Sequence, residues 1–382
     1  MPRLLHMADL HLGASSGFLE GEKKEIRGRE IEDAFHRAVS FASAPESHIH
    51  GVLIAGDLFD SMMVSEDLIR RVAGEFQRLK SASIPVVLVP GTHDSALYPG
   101  SVYRRSSLPG VTCLMDPNPC NPFTCRLGGE VFHFYGMDFH PLHTLSPVVF
   151  EKNHLPGIHV GLVHGSLMIE EHWSARREHI PLSLEMVARS GLDYLALGHY
   201  HNFSRHDLGD TVAVYPGTLE GRRWNEEGGR FLVVAEFDRS GRVTIEKIPH
   251  NCRTVSRVTL DLDREGIESA DDVIRAVLTY GDRDRSGILR VTLSGCREFP
   301  LSPGEVMEAA SDHFFHLEVE DNTTLADSSL IASLSREQSV RGLFVRRIME
   351  AMKDGDSRQE KVYSFALSSA LEMMRGDEPL EI

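Results

Sequence analysis

Several features that mark whole classes of protein are scarce in this sequence of 382 residues. Its five cysteines are odd in number and irregularly spaced, which argues against both a disulfide framework and a regular zinc pattern. No apolar run approaches membrane-spanning length. The apolar start is interrupted by His6 and Asp9 too early for a signal peptide. We therefore expect a cytoplasmic protein without membrane association.

Positive charge is also scarce, because the formal net charge is −16. A protein that coats nucleic acid by bulk electrostatics is therefore not expected, although a local basic track remains compatible with this charge. Only seven of the 40 basic residues are lysine, and arginine forks bind phosphate bidentately. The doublet Arg222-Arg223 is a candidate for such a contact, and ordinary surface charge is its simpler interpretation.

The order of apolar patterns divides the chain into three parts. Short apolar runs alternate with helical patterns and are then followed by consecutive strands, which predicts a layered α/β domain over residues 1–250. Residues 251–322 show the pattern of a small α+β module. Residues 336–376 predict an amphipathic helical hairpin, which either packs on its own protein or docks a partner.

Acidic and histidine residues follow five of the predicted strands in order. They occur in the segments Asp9-Leu10-His11, Gly56-Asp57-Leu58-Phe59-Asp60, Gly91-Thr92-His93-Asp94, His164-Gly165 and Gly198-His199-Tyr200-His201. Ligands of open α/β sheets bind beyond the carboxyl ends of the strands, so these side chains are expected to meet at one rim. Core packing does not explain five such segments in order beside permissive glycines.

Mixed carboxylate and imidazole ligands suit manganese, iron or zinc better than calcium or magnesium. At least six candidate ligands are more than one tetrahedral site requires. With one bridging carboxylate, they could hold two metal ions about 3.5–4 Å apart, an arrangement that hydrolyses phosphate esters. The sequence therefore predicts a two-metal hydrolytic site.

At these residues the sequence resembles the calcineurin-like metallophosphoesterases. Within that superfamily, the segments 5–13 and 215–222 resemble the SbcD-type DNA-repair nucleases, and most of all the bacterial YhaO-like branch. The resemblance implies a two-sheet α/β sandwich as the metallophosphoesterase (nuclease) domain, followed by a small capping domain and C-terminal helices. It also implies a manganese-dependent DNA nuclease that works with a coiled-coil ATPase, and often as a homodimer.

The resemblance further implies roles for individual residues. One metal ion would be held by Asp9, His11 and His201, and the other by His164 and His199, with Asp57 bridging both. His93 would be the acid at the leaving group, steered by Asp94. The capping module would shape the DNA path, and the C-terminal helices could dock the ATPase.

Two positions depart from the pattern of that family. Thr92 stands where the family has an asparagine whose carbonyl ligates the second metal ion. Because a hydroxyl is the poorer ligand, we expect the second ion to bind more weakly at Thr92. Asp60 stands where relatives often have a histidine, so their cleavage polarity does not carry over to this chain.

Three functions remain open on the sequence alone. The leading one is a metal-dependent DNA nuclease of the repair type. The second is a phosphoesterase acting on a small phosphodiester or phosphomonoester, which would share every metal ligand. The third is a DNA-binding scaffold in which Thr92 has weakened catalysis, and it predicts that the variant Thr92→Asn regains turnover.

Overall fold

The computed structural model divides into unit one, Met1–Arg253, and unit two, Thr254–Ile382. It describes residues 1–116, 119, 121–138, 150–169, 180–297, 299–324 and 328–353, and the single positions 359, 362, 363, 366, 367 and 370. The second half of the predicted hairpin over 336–376 lies mostly outside the described residues. The functional assignment of the three predicted domains stays a prediction.

Unit one alternates strands and helices and then continues mainly as strands. In chain order its elements are β1 (Arg3–Met7), α1 (Gly21–Ser43), β2 (Gly51–Ala55), α2 (Glu66–Ser81), β3 (Val86–Val89), α3 (Val102–Arg105), β4 (Val111–Cys113), β5 (Phe123–Leu127), β6 (Glu130–Gly136), β7 (Ile158–His164), β8 (Ser166–Leu167), β9 (Pro181–Leu182), α4 (Leu184–Arg189), β10 (Tyr194–Gly198), β11 (Ser204–Leu208), β12 (Thr211–Tyr215), β13 (Phe231–Phe237) and β14 (Val243–Pro249).

Twelve of these strands form two six-stranded sheets, and β8 and β9 pair in parallel as a separate two-stranded sheet. The first has the order β14-β13-β1-β2-β3-β4, and the second has the order β11-β12-β10-β7-β6-β5. Neighbouring strands pair in parallel from β1 to β4, and likewise along β6, β7, β10 and β12, whereas β13, β14, β5 and β11 pair antiparallel. Strands β12 and β13 are consecutive in the sequence but lie in different sheets, a partition that the sequence pattern did not show.

Alternation along each strand separates the apolar layers of unit one. In β1, Leu5 and Met7 pack in the cluster that contains the buried faces of α1 and α2, whereas Leu4 packs with residues of the second sheet, among them Val160. A third cluster lies on the other face of the second sheet, with Val187 of α4. The predicted two-sheet α/β sandwich is confirmed.

Unit two is built on a small parallel sheet. Its described elements are β15 (Val255–Asp261), α5 (Leu262–Glu265), α6 (Ala270–Arg283), β16 (Ile288–Ser294), α7 (Pro303–Ala310), β17 (His316–Asp321), α8 (Ser328–Leu334) and α9 (Val340–Lys353). The sheet has the order β15-β16-β17, and both pairings are parallel. The structure thus differs from the predicted α+β module, because each parallel crossover carries a helix and gives a βαβαβ arrangement.

Two further points concern helices. Helix α8 lies between the predicted module at 251–322 and the predicted hairpin at 336–376, where no helix was predicted. Helix α9 matches the first helix of that hairpin. Across the described ranges, no helix combines the length and apolarity needed to cross a membrane.

Candidate metal centre

The backbone adopts left-handed conformations at several candidate ligands. The φ angles are +52° at Asp9, +44° at His11, +48° at Asp57 and +105° at His199. Non-glycine residues rarely adopt positive φ, and such strain collects at functional sites where the surrounding structure imposes it. The chain therefore turns sharply as it leaves β1, β2 and β10, and this turn places each side chain beyond the end of its strand.

Glycines let the two sheets approach each other at this end. A Cβ atom on Gly56 would overlap the ring of His164, and one on Gly198 would overlap the carbonyl oxygen of Ala55. That carbonyl oxygen also lies 3.1 Å from Nδ1 of His164. The predicted rim is therefore formed by the carboxyl ends of both sheets, with β1, β2 and β3 in one sheet and β7 and β10 in the other.

One group of donors comprises Asp9, His11 and His201. The Nε2 atoms of His11 and His201 lie 3.4 Å apart, and Nε2 of His201 lies 3.9 Å from Oδ1 of Asp9. Asp9 also accepts hydrogen bonds from the backbone N–H of His199, at 3.0 and 3.1 Å. The structure thus brings together the three residues that were predicted to hold the first ion.

Asp57 belongs to both of the other groups, with His11 and His93 in one and with Asp9 and His164 in the other. Its Oδ2 lies 3.2 Å from Nε2 of His164 and 3.6 Å from Nε2 of His11. Its Oδ1 accepts a hydrogen bond from the backbone N–H of His93, at 2.8 Å. This central position is the one expected of a bridging carboxylate.

Electrostatics couples Asp57 to the rings around it. Burial alone would raise the pKa of Asp57, but the charge and hydrogen bond of His164, followed by the charges of His11 and His93, hold it well below its usual range. Burial alone would lower the pKa of His164, but the charge and hydrogen bond of Asp57 raise it to about 9. Negative charge at Asp57 thus favours a positive charge beside it.

The donor set fits divalent cations. The buried Nε2 of His164 lies 3.2 Å from Oδ2 of Asp57, so a cation beside both atoms could take both as ligands. The Nε2 atoms of His11 and His201 face each other at 3.4 Å, so their lone pairs can converge on one cation. A mixture of carboxylate and imidazole donors in this arrangement is what manganese, iron or zinc prefers.

The structure places two other predicted ligands beside these groups. The ring of His199 packs edge-on against that of His164, with centroids 5.2 Å apart. Thr92 is half-buried and lies between Gly91, where a Cβ atom would overlap Asp57, and His93. Their roles as ligands of the second ion stay predictions.

The partners of His93 and Asp94 differ from those that we expected. The carbonyl oxygen of Asp60 lies 2.9 Å from Nδ1 of His93. The Asp94 carboxylate instead accepts hydrogen bonds from the N–H groups of Gly91 and Phe59 and from the hydroxyl of Tyr103. Among the described hydrogen bonds none joins Asp94 to the His93 ring, so the expected steering by Asp94 is corrected: the Asp60 carbonyl orients His93.

Asp94 is an anchor of the turn that carries His93. Burial, followed by the charge of Asp57, raises its pKa to about 6, while its three hydrogen bonds lower it. These bonds connect the turn after β3 to the loop after β2 and to α3. Asp94 therefore acts on the site through backbone geometry.

Two further carboxylates lie beside the predicted ligands. Asp60 lies 3.0 Å from Nδ1 of His11, and Glu226 lies 2.6 Å from Nδ1 of His201. Burial alone would raise the pKa of Glu226, but the hydrogen bond and charge of His201 hold it at about 2. Asp60 belongs to the predicted segment after β2 but was assigned no role there, whereas Glu226 was missed and nothing in the sequence distinguishes it.

The two arginines of the predicted substrate doublet occupy different environments. Arg222 is only 5% exposed, and its Nη1 lies 3.1 Å from Oδ1 of Asp60. Arg223 is exposed. Arg222 therefore neutralises a carboxylate inside the site, and Arg223 is the one available at the surface.

Comparison with known proteins agrees with this geometry. The sequence profile of the family described as calcineurin-like phosphoesterase matches residues 2–203, more than half of the chain. The chain belongs to the calcineurin-like phosphoesterase family. The resemblance that the motifs indicated is thereby confirmed.

Several individual proteins are similar to this calcineurin-like phosphoesterase. The uncharacterized metallophosphoesterase YhaO of Bacillus subtilis (strain 168) is 26% identical over 256 residues, which cover 64% of this chain and 61% of that protein. The DNA double-strand break repair protein Mre11 of Sulfurisphaera tokodaii is 27% identical, covering 68% and 65%. The protein of the same name from Saccharolobus solfataricus is 23% identical, covering 92% and 91%. The chain thus spans less than two thirds of the length of the first two relatives.

Proposed function

We propose that this protein hydrolyses phosphodiester bonds with two divalent metal ions, manganese in particular, and that DNA is its substrate. The observation that carries the proposal is Asp57, buried and shared between two groups of potential metal ligands. Asp9, His11 and His201 would hold one ion, while His164, His199 and Thr92 would hold the other. When bound, the two ions would neutralise phosphoryl oxygens and supply hydroxide near neutral pH.

His93 is the proposed general acid. Its Nδ1–H donates to the carbonyl oxygen of Asp60, which fixes the ring and leaves Nε2 for the substrate. The side chain is 40% exposed, so a leaving oxygen can reach it. As an imidazolium, His93 would give the Nε2 proton to that oxygen.

DNA is favoured over a small ester because several relatives are named DNA double-strand break repair proteins. The exposed Arg223 would contact a phosphate of the backbone, with the buried Arg222 behind it. The names of the same relatives support a role in DNA repair as part of this proposal. A coiled-coil ATPase partner and a homodimer rest on the resemblance alone and stay predictions.

Hydrolysis of DNA and of bis(4-nitrophenyl) phosphate with added manganese tests the proposal. We expect the wild-type protein to cut both, and His93→Ala to lower the rate on DNA about 100- to 10,000-fold. His36→Ala, which removes an exposed histidine of α1, is the matched control and should retain the wild-type rate.

Three other results would contradict all or part of the proposal. Cleavage of the small ester alone would support the hydrolytic metal site but contradict DNA as the substrate. Cleavage by Thr92→Asn alone would make the natural protein a weakened scaffold. Cleavage of neither substrate by any variant would overturn the proposed function.

A further inference from the structure

The two halves of the metal centre differ in what supports their imidazole rings. In one half, Nδ1 of His201 lies 2.6 Å from Oε1 of Glu226, and Nδ1 of His11 lies 3.0 Å from Oδ1 of Asp60. In the other half, Nδ1 of His164 lies 3.1 Å from a backbone carbonyl oxygen, that of Ala55. Carboxylates therefore support one pair of rings, and a neutral group supports His164.

Arg222 joins the two supporting carboxylates. Its guanidinium Nη1 lies 3.1 Å from Oδ1 of Asp60, and its backbone N–H donates to Oε2 of Glu226 at 2.6 Å. The side chains of Arg222 and Glu226 are 5% and 1% exposed, so water competes little for these bonds. Through this connection, the loop that carries Arg222 and Glu226 fixes His11 and His201 relative to each other.

A carboxylate at the far nitrogen of a ligating histidine sets its tautomer and raises its basicity, and losing one typically weakens metal binding about 10- to 100-fold. In the Asp9–His11–His201 half, Glu226 hydrogen-bonds Nδ1 of His201, and the carboxylate of Asp60 lies 3.0 Å from Nδ1 of His11. In the other half, a backbone carbonyl lies behind His164, Thr92 offers a neutral hydroxyl, and the ring of His199 packs against that of His164. The two halves should therefore bind the same ion with unequal affinity.

We propose that Asp60 and Glu226 are positioning residues that make the Asp9–His11–His201 half a tight divalent-cation site and leave the His164 half a weak one. The inference rests on the metal centre of the proposed function. It implies that the protein holds one ion when manganese is limiting and takes up the second only as the concentration rises.

Calorimetric titration of the metal-free, full-length protein with manganese, together with paramagnetic resonance of the bound ion, tests this inference. We expect two dissociation constants in the wild-type protein that differ by at least about tenfold, with a mononuclear spectrum at one equivalent. Glu226→Gln and Asp60→Asn should each weaken the tight site about 10- to 100-fold and leave the weak one unchanged.

Glu220→Gln is the matched control. Glu220 is in the same loop and is also 1% exposed, but its side chain pairs with Arg27 and Arg37 rather than with a histidine. This variant carries the same chemical change in an equally buried position. It should leave both dissociation constants as they are in the wild-type protein.

Two results would overturn the inference while leaving the proposed function intact. One is a wild-type protein that cuts DNA and binds two manganese ions with equal affinity. The other is an equal weakening of the tight site by Glu220→Gln and by Glu226→Gln. A wild-type protein that binds no manganese would overturn the proposed function as well.

Discussion

Unit one and the described part of unit two differ in how many charged side chains they bury. Unit one buries many of them, among them Arg27, Asp57 and Glu226, whereas Arg297 is the buried charged residue in the described part of unit two. Left-handed backbone shows the same contrast. In unit one, four candidate ligands have a positive φ angle. In the described residues of unit two, positive φ angles occur at Gly266 and Gly295.

The difference shows where this chain departs from local rules of stability. Buried charge and positive φ at non-glycine residues are both unfavourable, and proteins tolerate them mainly where a functional site demands them. Unit two has a regular βαβαβ arrangement, with surface ion pairs such as Arg290–Glu318. The contrast coincides with the position of the candidate metal centre in unit one.

The largest effect should come from removing a buried cation. Arg27 is fully buried and pairs with Glu220 at 3.0 Å and with Glu30 at 2.9 Å. Arg27→Met leaves these carboxylates undercompensated, so we expect unit one to lose about 3–5 kcal/mol of its free energy of unfolding. In unit two, Arg290→Met should lower the free energy of unfolding by about 1 kcal/mol or less, because its pairs are partly exposed.

Denaturant-dependent hydrogen exchange, read separately from peptides of each unit, measures both changes. Equal losses in the two variants would mean that the buried ion pairs of unit one contribute no more to stability than the partly exposed pairs of unit two.

A smaller effect is expected from paired glycine substitutions. A Cβ atom on Gly198 would overlap the carbonyl oxygen of Ala55 where the two sheets meet, so Gly198→Ala should destabilise unit one by about 3 kcal/mol. A Cβ atom on Gly266 would meet no neighbour within 4 Å, but alanine would have to adopt a φ of +65°. We therefore expect Gly266→Ala to lower the free energy of unfolding of unit two by about 1 kcal/mol. The same exchange measurement compares them, and a larger loss for Gly266→Ala would reverse the comparison.

The smallest effect near neutral pH is a pH dependence that belongs to unit one. His6 bonds to the hydroxyl of Tyr194 across the two sheets, and burial lowers its pKa to about 3. Below pH 6.5 the unfolded chain takes up a proton at His6 that the folded chain does not. This residue should therefore lower the stability of unit one by up to about 1.4 kcal/mol per pH unit as the pH falls from 6.5 toward 3.

Unfolding of His6→Phe at a series of pH values checks this expectation. The variant should be less stable at pH 8, because Tyr194 loses its partner, but its stability should fall less steeply in acid. His316→Phe in unit two is the control, and it should leave the slope of unit one as it is. If stability falls with pH as steeply in His6→Phe as in the wild-type protein, His6 does not cause the pH dependence.

Much of the fold could be predicted because its signals are local. Buried strands such as β2 and β7 are continuous apolar runs, and α2 shows helical spacing of apolar residues that begins after a serine cap. The assignment of β12 and β13 to different sheets depends on long-range pairing. No local pattern encodes that pairing, so the sequence analysis could not predict it.

The candidate site likewise contains residues that local motifs predicted and residues that depend on long-range contacts. Asp9, His11 and Asp57 follow strands in recognisable motifs, and the structure brings them together as predicted. Glu226 was missed because it meets His201 from 25 residues away, out of a loop without a motif. The orientation of His93 depends on a backbone carbonyl, a contact that residue types do not reveal.

The donors for any one ion come from distant parts of the chain. His11 and His201, which would hold the same ion, are separated by 190 residues. A cation between His11 and His201 would be a reversible cross-link that closes a very long loop, comparable in its entropic effect with a disulfide. Without the ion, the ends of β1 and β10 would still be joined by the hydrogen bonds from His199 to Asp9, but the loop would lose one closure. Metal supply would therefore change the stability of the sandwich as well as its chemistry.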